Sequence, residues 1–175
     1  MQIYLYSKFM AFRMALPRSD ENTSNFHYIH SCDLETNLKI KVGTLEGILP
    51  RPDYEEVIRN PILRFAGRNQ SRCPDLVVEV VVMKDGEGLH LPVTTSYKHF
   101  NNRWAWNQWM TLPIKFCDLP RSALLCLTVY DCNGPGERFA IGGTTVSLFG
   151  KKGVYRQGMM DLQVWQGIPA DGRYH

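Results

Sequence analysis

Short segments that alternate apolar and polar residues make up most of this chain, and they constrain its fold more than any other feature. In the segment NLKIKVGTL, Leu38, Ile40 and Val42 fall on one face of an extended strand, and the lysines between them fall on the other. Similar segments follow, with Gly or Pro at nearly every junction. Roughly eight such strands over about 140 residues predict an all-β fold, an eight-stranded antiparallel β-sandwich.

Composition agrees with one globular domain. The chain has 175 residues, of which 44% are hydrophobic and 21% are charged, and its net charge is +3. So small a positive charge does not call for a nucleic-acid partner, and we predict none. No apolar run approaches the roughly 20 residues that a membrane-spanning helix needs.

Motifs for catalysis or for a bound cofactor are not found in the sequence. The five cysteines are odd in number and lack C-x-x-C spacing, which favours reduced thiols in a cytosolic protein. The glycine-rich stretch NGPGERFAIGG lacks the Lys-Ser/Thr pair of a phosphate-binding loop. A Cys–His pair could still be assembled in space. We predict no catalytic residue, no metal and no cofactor.

The N-terminal segment differs from the rest of the chain in its charge. Its first 19 residues hold Lys8, Arg13 and Arg18 and no acidic residue, as in some targeting peptides. Arg13 interrupts the apolar run, however, and no small-residue cleavage pattern is clear. We therefore predict that residues 1–25 form a loosely ordered extension, with an unusual translation start or a targeting peptide as alternatives.

One segment breaks the strand pattern. Asp53 can cap a short helix that ends at Asn60-Pro61, where a second helix can begin and run to Gly67. The sequence therefore predicts a helical hairpin inserted at about residues 50–68. Because neither helix is long enough to be stable alone, the hairpin must pack on its own sandwich or on another protein.

Three of the four tryptophans lie within six residues, in the segment RWAWNQWMTLPI. Strand alternation puts Trp106, Met110 and Leu112 on the core face, and Trp104 falls on that face as well, whereas Trp109 points outward. A large aromatic side chain on an outer face is a candidate interface anchor, covered by the hairpin or by a partner. The alternative is a bulge at Asn107-Gln108 that turns all three tryptophans inward.

The run W-N-Q-x-M-x-L at 106–112 resembles the W-N-E-x-F-x-F strand of C2 domains, with Gln108 where that family usually has Glu. In calcium-binding C2 domains, aspartates on the loops at one end hold the ion. Here the matching D-x-D reads Asp131-Cys132-Asn133, and Glu137 is a weak second candidate. Calcium takes about 6–8 oxygen ligands, several of them anionic, so the resemblance implies a calcium-independent module.

Six stretches, in order, make the resemblance closer. They are GTLEG, NPILRF, LPVTTSYKHF, RWAWNQWMTLPI, FCDLPRSA and GGTTVSLFGKKGVYRQGMMDLQVW. They resemble the C2 domain of class III phosphatidylinositol 3-kinase, and the resemblance covers residues 26–172. Members of that family continue into helical and kinase domains. We therefore expect this chain to be a fragment, a truncated product or an incomplete gene model, without enzyme activity of its own.

The resemblance implies a docking role. The C2 domain and its hairpin are expected to contact the pseudokinase-like regulatory subunit and the Beclin-type subunit of the class III complex. The chain is then cytoplasmic and peripheral on endosomal or autophagic membranes, where the kinase makes phosphatidylinositol 3-phosphate. The candidate docking residues are Tyr54, Val57, Ile58, Ile62, Leu63, Phe65 and Trp109. The alternative is that the hairpin only covers the domain's own sheet.

A second function is a calcium-independent module that binds acidic phospholipid directly. The candidate lipid-facing residues are Lys98, Arg103, Lys151, Lys152 and Arg156. Near an anionic membrane each contributes about 1 kcal/mol. The alternative is an ordinary solvated face, and the sequence indicates no exposed apolar loop tip beside these residues.

Overall fold

The computed structural model describes residues 1–7, 30–47, 59, 75–97, 104–132 and 138–173. These residues form ten strands and two short 3-10 helices. The strands are β1 (Gln2–Ser7), β2 (Asn37–Glu46), β3 (Leu76–Lys84), β4 (Glu87–Gly88), β5 (Val93–Thr94), β6 (Trp104–Lys115), β7 (Leu124–Cys132), β8 (Arg138–Ser147), β9 (Gly158–Gln163) and β10 (Trp165–Gln166). The 3-10 helices are Ser31–Asp33 and Phe116–Asp118.

The strands form two antiparallel sheets. The four-stranded sheet has the order β6-β2-β1-β9. The six-stranded sheet has the order β10-β8-β7-β3-β4, and β5 also pairs with β3. The predicted all-β sandwich is confirmed, although the described residues hold seven strands of six or more residues and three of two residues rather than eight. No helix in this described part is long and apolar enough to cross a bilayer.

The core lies between the inner faces of the two sheets. On β2 the alternate residues Leu38, Ile40 and Val42 are fully buried, as the period-two pattern predicts. The six-stranded sheet contributes side chains from three strands. These are Val78, Val80, Val82, Leu125, Leu127 and Val146. Burial of a side chain of this size stabilises the fold by about 1.5–3 kcal/mol, so the paired sheets carry most of the stability.

The N-terminal strand β1 lies inside the four-stranded sheet, between β2 and β9. Ile3 and Leu5 are fully buried in the core. The predicted loosely ordered extension is therefore wrong for residues 1–7, because their period-two alternation lets one face join the core while the backbone pairs on both sides. Residues 8–25 lie outside the described part of the chain.

The predicted helical hairpin is not tested. Of residues 50–68 the structure describes only Arg59, which is helical. The candidate contacts on this segment, Tyr54, Val57, Ile58, Ile62, Leu63 and Phe65, all lie outside the described residues. The hairpin and its contacts stay predictions.

Beside β3, side chains accept some of the backbone hydrogen bonds that a neighbouring strand would otherwise accept. The sequence predicted one strand over LHLPVTTSY, but only Val93–Thr94 pairs, because Pro92 has no N–H to donate. Nε2 of His90 accepts a hydrogen bond from the Val82 N–H at 3.0 Å, and its Nδ1–H donates to the Leu91 carbonyl at 2.6 Å. The hydroxyl of the buried Thr95 accepts from the Val78 N–H at 3.0 Å.

After β10 the chain crosses the outer face of the six-stranded sheet as a strap, residues 167–173. The Gly167 N–H donates to the Ile141 carbonyl at 2.8 Å, and the Ala170 N–H donates to the Thr128 hydroxyl at 3.1 Å. The strap lies so close to β8 that a Cβ on Gly143 would stand 2.8 Å from the carbonyl carbon of Pro169. The glycine is therefore required by close backbone approach.

Candidate docking surface

The three clustered tryptophans take different positions on β6. Trp106 is 5% exposed in the core, and Trp104 packs against the core from its edge. Trp109 is 47% exposed on the outer face of the four-stranded sheet. The alternation prediction for Trp106 and Trp109 is confirmed.

A bulge does lie where the alternative reading placed it. Pairing shifts from Val42↔Gln108 to Thr44↔Ala105, so β6 carries one extra residue there, and Asn107 has a φ of 48°. Trp109 nevertheless stays on the outer face, where it is 47% exposed, so the alternative in which all three tryptophans turn inward is wrong.

A second bulge lies next to the first on the neighbouring strand. Pairing of β1 with β2 shifts between Ile3 and Leu5, which leaves an extra β2 residue opposite Tyr4. Gly43 occupies this position, and a Cβ there would lie 2.8 Å from the Tyr4 carbonyl oxygen. Bulges bend and twist a sheet, so two in adjacent strands shape its outer surface at this point.

The outer face of the four-stranded sheet holds a groove of about 480 Å³ at the bulges. It is lined by Tyr4, Leu5, Lys41, Gly43, Thr44, Glu46, Asn107, Trp109 and Met159. Met159 is 70% exposed, so an aromatic and a flexible apolar side chain both face solvent here. Lys41 and Glu46 add one charge of each sign. A concave site with large apolar groups and a few polar ones suits an inserted side chain of another protein.

The predicted hairpin follows a strand of the groove in the sequence. Glu46 lines the groove and ends β2, and the segment predicted to hold the helices follows Gly47 directly. Of the predicted docking residues, the structure therefore places Trp109 on a groove. Sequence reasoning missed Tyr4 and Met159, since the pairing of β1 and β9 was not foreseen.

The basic residues separate into two groups. Lys151, Lys152 and Arg156 are exposed on the loop that follows β8, whereas Lys98 and Arg103 lie outside the described residues. Val154, in the same loop, is 67% exposed. The expectation that no apolar loop tip lies beside the basic residues is therefore wrong, because a lone valine between a Lys-Lys-Gly turn and Tyr155 gives no periodic signal.

Comparison with known proteins identifies the domain. Residues 72–175 match the family described as Phosphoinositide 3-kinase C2. This chain belongs to that family.

Three relatives indicate the class of phosphatidylinositol 3-kinase to which this C2 domain belongs. A phosphatidylinositol 3-kinase root isoform from Glycine max is 32% identical over 151 residues, covering 86% of this chain and 18% of the relative. Phosphatidylinositol 3-kinase VPS34 from Arabidopsis thaliana is 30% identical, with the same coverage. Phosphatidylinositol 3-kinase catalytic subunit type 3 from Caenorhabditis elegans is 31% identical over 158 residues, covering 81% of this chain and 16% of the relative.

These matches make the chain the C2 domain of a class III, VPS34-type phosphatidylinositol 3-kinase. It spans under a fifth of the length of the relatives, 16% to 18%. The part of those kinases that it matches is the C2 domain, and the kinase domain is not present in this chain.

Of the calcium-ligand candidates in the sequence, the structure describes only Asp131. Asp131 is 3% exposed and lies within β7, paired with Leu76 on β3 and Phe139 on β8. Asn133 and Glu137 lie outside the described residues. Among the residues that the structure does describe, no three His, Cys, Asp or Glu side chains are grouped to hold a metal.

Two cysteines of the domain, Cys126 and Cys132, are weak nucleophiles. Cys32, Cys117, Cys126 and Cys132 are free thiols. Burial raises the pKa of the Cys126 thiol, against a hydrogen bond with Thr145. Burial also raises the pKa of Cys132, with Arg138 opposing the shift. Both side chains stay protonated at neutral pH, and the thiolate is the reactive form.

Gln108 joins the two sheets at the open edge of β6. Its Oε1 accepts a hydrogen bond from the Ser96 N–H at 2.7 Å, and Ser96 follows β5 of the six-stranded sheet. The usual Glu of C2 domains at this position would accept the same bond. The bulge residue Asn107, with its positive φ, directly precedes Gln108 in the strand.

We expect Gln108→Met to lower the free energy of unfolding by about 1 kcal/mol, because the Ser96 N–H loses its acceptor in a partly exposed site. Gln108→Glu keeps an acceptor oxygen and should stay within about 0.5 kcal/mol of the parent. Urea denaturation of the three proteins measures both values. Equal stability of the Met and Glu variants would show that the bond contributes nothing.

Proposed function

We propose that this C2 domain docks the regulatory subunits of a class III phosphatidylinositol 3-kinase. The partners are the pseudokinase-like subunit and the Beclin-type subunit. By holding them, the domain helps to place the kinase at endosomal or autophagic membranes for phosphatidylinositol 3-phosphate synthesis. The observation that carries the proposal is the groove on the outer face of the four-stranded sheet.

The chemistry of the groove supports a protein partner. Tryptophan is the residue type most enriched among side chains that dominate binding energy, and methionine adapts to irregular apolar surfaces. Trp109 and Met159 stand 47% and 70% exposed on the two outer strands of the sheet, β6 and β9. Between them Lys41 and Glu46 can orient a partner through charge.

The name of one relative is consistent with a partner that is another subunit of the same enzyme. The Caenorhabditis elegans relative is named a catalytic subunit, a term that implies companion subunits. The predicted hairpin, at about residues 50–68, follows Glu46 closely in the sequence, and we infer that it belongs to the same docking surface as the groove.

We expect Trp109→Ser with Met159→Ser to weaken association with the regulatory subunits by about thirtyfold, equivalent to about 2 kcal/mol for the loss of a dominant aromatic anchor. The measurement is co-purification of the chain with the pseudokinase-like subunit and with the Beclin-type subunit, each tested separately and together, followed by titration of the pair that binds. Thermal unfolding checks that the double variant folds.

Trp165→Ser is the matched control. Trp165 is 62% exposed on β10 of the six-stranded sheet, away from the groove. It should bind the subunits as the parent does. Unchanged association of the Trp109 and Met159 variant would remove the groove from the interface. Ile62→Asp with Phe65→Asp then tests whether the predicted hairpin makes the contact instead.

The second candidate function is direct, calcium-independent binding to acidic phospholipid. The observation that favours it is the loop after β8, where Val154 is exposed between basic residues. The two functions use different surfaces and do not exclude one another.

A further inference from the structure

The loop after β8 ends in a tight turn, which we call the basic tip, residues 150–156. The Gly153 N–H donates to the Gly150 carbonyl at 2.8 Å, and the Gly150 N–H donates to the Val154 carbonyl at 2.8 Å. Gly153 has a φ of +78°, which is the left-handed position of a three-residue hairpin loop. The backbone bonds therefore hold Lys151 and Lys152 together at the end of the turn.

The basic tip gathers positive charge. Lys151, Lys152 and Arg156 are exposed, and Nη2 of the exposed Arg121 donates to the Lys151 carbonyl at 2.8 Å. Within the described ranges none of these four side chains lies in an ion pair with a carboxylate. Their charge is thus available to an anionic partner.

An apolar side chain stands among these charges. Val154 is 67% exposed, directly before Tyr155. The Tyr155 ring packs edge-on against Phe116 at 5.1 Å and Phe149 at 5.8 Å between ring centroids, which fixes this side of the tip to the core. A single exposed valine is common on protein surfaces. Here it stands on an anchored turn among four cations, and such an arrangement suits the boundary between lipid headgroups and acyl chains.

The basic tip is at the end of β8 opposite to Asp131. Asp131 pairs with Phe139, and the eight residue steps from Phe139 to Ser147 extend about 26 Å at strand geometry. The tip is thus separate from the end loops where C2 domains hold calcium. It is also separate from the groove, which lies on the face of the other sheet.

We propose that the basic tip is a membrane contact, in which the four cations bind anionic headgroups and Val154 enters the acyl boundary. The proposal rests on the second function above and names the surface that performs it. Each basic residue near an anionic surface strengthens binding by about fivefold, so the tip supplies a weak contact that adds to other attachments of the kinase.

The test is vesicle sedimentation of the chain with phosphatidylcholine alone and with phosphatidylcholine containing phosphatidylserine, both in calcium chelator. The parent should bind only the anionic vesicles. Lys151→Gln with Lys152→Gln should weaken this binding by about tenfold or more. Val154→Ser should weaken it by about threefold, and Val154→Trp should strengthen it by about threefold, since tryptophan favours the interface.

Lys39→Gln with Lys84→Gln is the control. Both lysines are exposed on β2 and β3, and the pair changes net charge equally. It should change binding by less than about twofold, because a charge away from the contact is screened by salt. The tip variants should still co-purify with the regulatory subunits, which keeps this test independent of the groove.

Three results would overturn the proposal. The first is no binding of the parent to anionic vesicles, which would leave an acidic protein as the tip's partner. The second is equal loss in the tip and control lysine pairs, which would indicate diffuse charge. The third is indifference of binding to both Val154 variants, which would exclude insertion.

Discussion

We expect Gly143→Ala to lower the free energy of unfolding by about 3 kcal/mol, at the upper end of the usual cost of overpacking. The new Cβ would stand 2.8 Å from the Pro169 carbonyl carbon, 2.9 Å from the Ile168 carbonyl oxygen and closer still to the Ala170 nitrogen. These are backbone atoms, which cannot rotate aside as a side chain does. The strap must therefore move off β8, and the hydrogen bond from the Ala170 N–H to the Thr128 hydroxyl breaks with it.

Thermal unfolding should show the change as a loss of about 6–12 °C in Tm for a domain of this size. Gly150→Ala is the control, because a Cβ there meets only the Val154 carbonyl oxygen at 3.6 Å, an ordinary contact. Neither glycine has a positive φ, so the comparison isolates crowding from backbone strain. A Gly143→Ala protein as stable as Gly150→Ala would mean that the strap is loosely held.

The strap also shows where sequence reasoning ends. Alternation predicted the core faces of β2 and β6, because side-chain burial repeats every two residues within one strand. The strap has no such period, and its position depends on Thr128 of β7 and Gly143 of β8. The sequence could show that Gly142 and Gly143 stand side by side, but not which segment crosses them.

Only part of the docking surface was predictable from the sequence, because alternation reports on one strand at a time. Trp109 was predicted to face outward, since its exposure depends on the phase of β6 alone. The groove depends on bulges in two adjacent strands and on β1, whose pairing partners are far away in the chain. Pairing of this kind is set by the whole sheet, so the contributions of Tyr4 and Met159 were not predictable from local pattern.

The sequence did not predict that residues 1–7 form an internal strand, and mutation can test this strand directly. Ile3 and Leu5 are fully buried, and β1 pairs with β2 on one side and β9 on the other. We expect Ile3→Ala to lower the free energy of unfolding by about 3 kcal/mol, through lost burial and the cavity left behind. Ile3→Val, which removes one methyl group, should cost about 1 kcal/mol.

Gln2→Ala is the control on the same strand, because Gln2 is exposed and its change should stay within about 0.5 kcal/mol. Urea denaturation with an unchanged slope measures the series Gln2→Ala, Ile3→Val and Ile3→Ala. A loose N-terminal extension predicts three equal values near zero. An internal strand predicts a cost that rises with the volume removed from position 3, since β2 and β9 have no other partner between them in the four-stranded sheet as described.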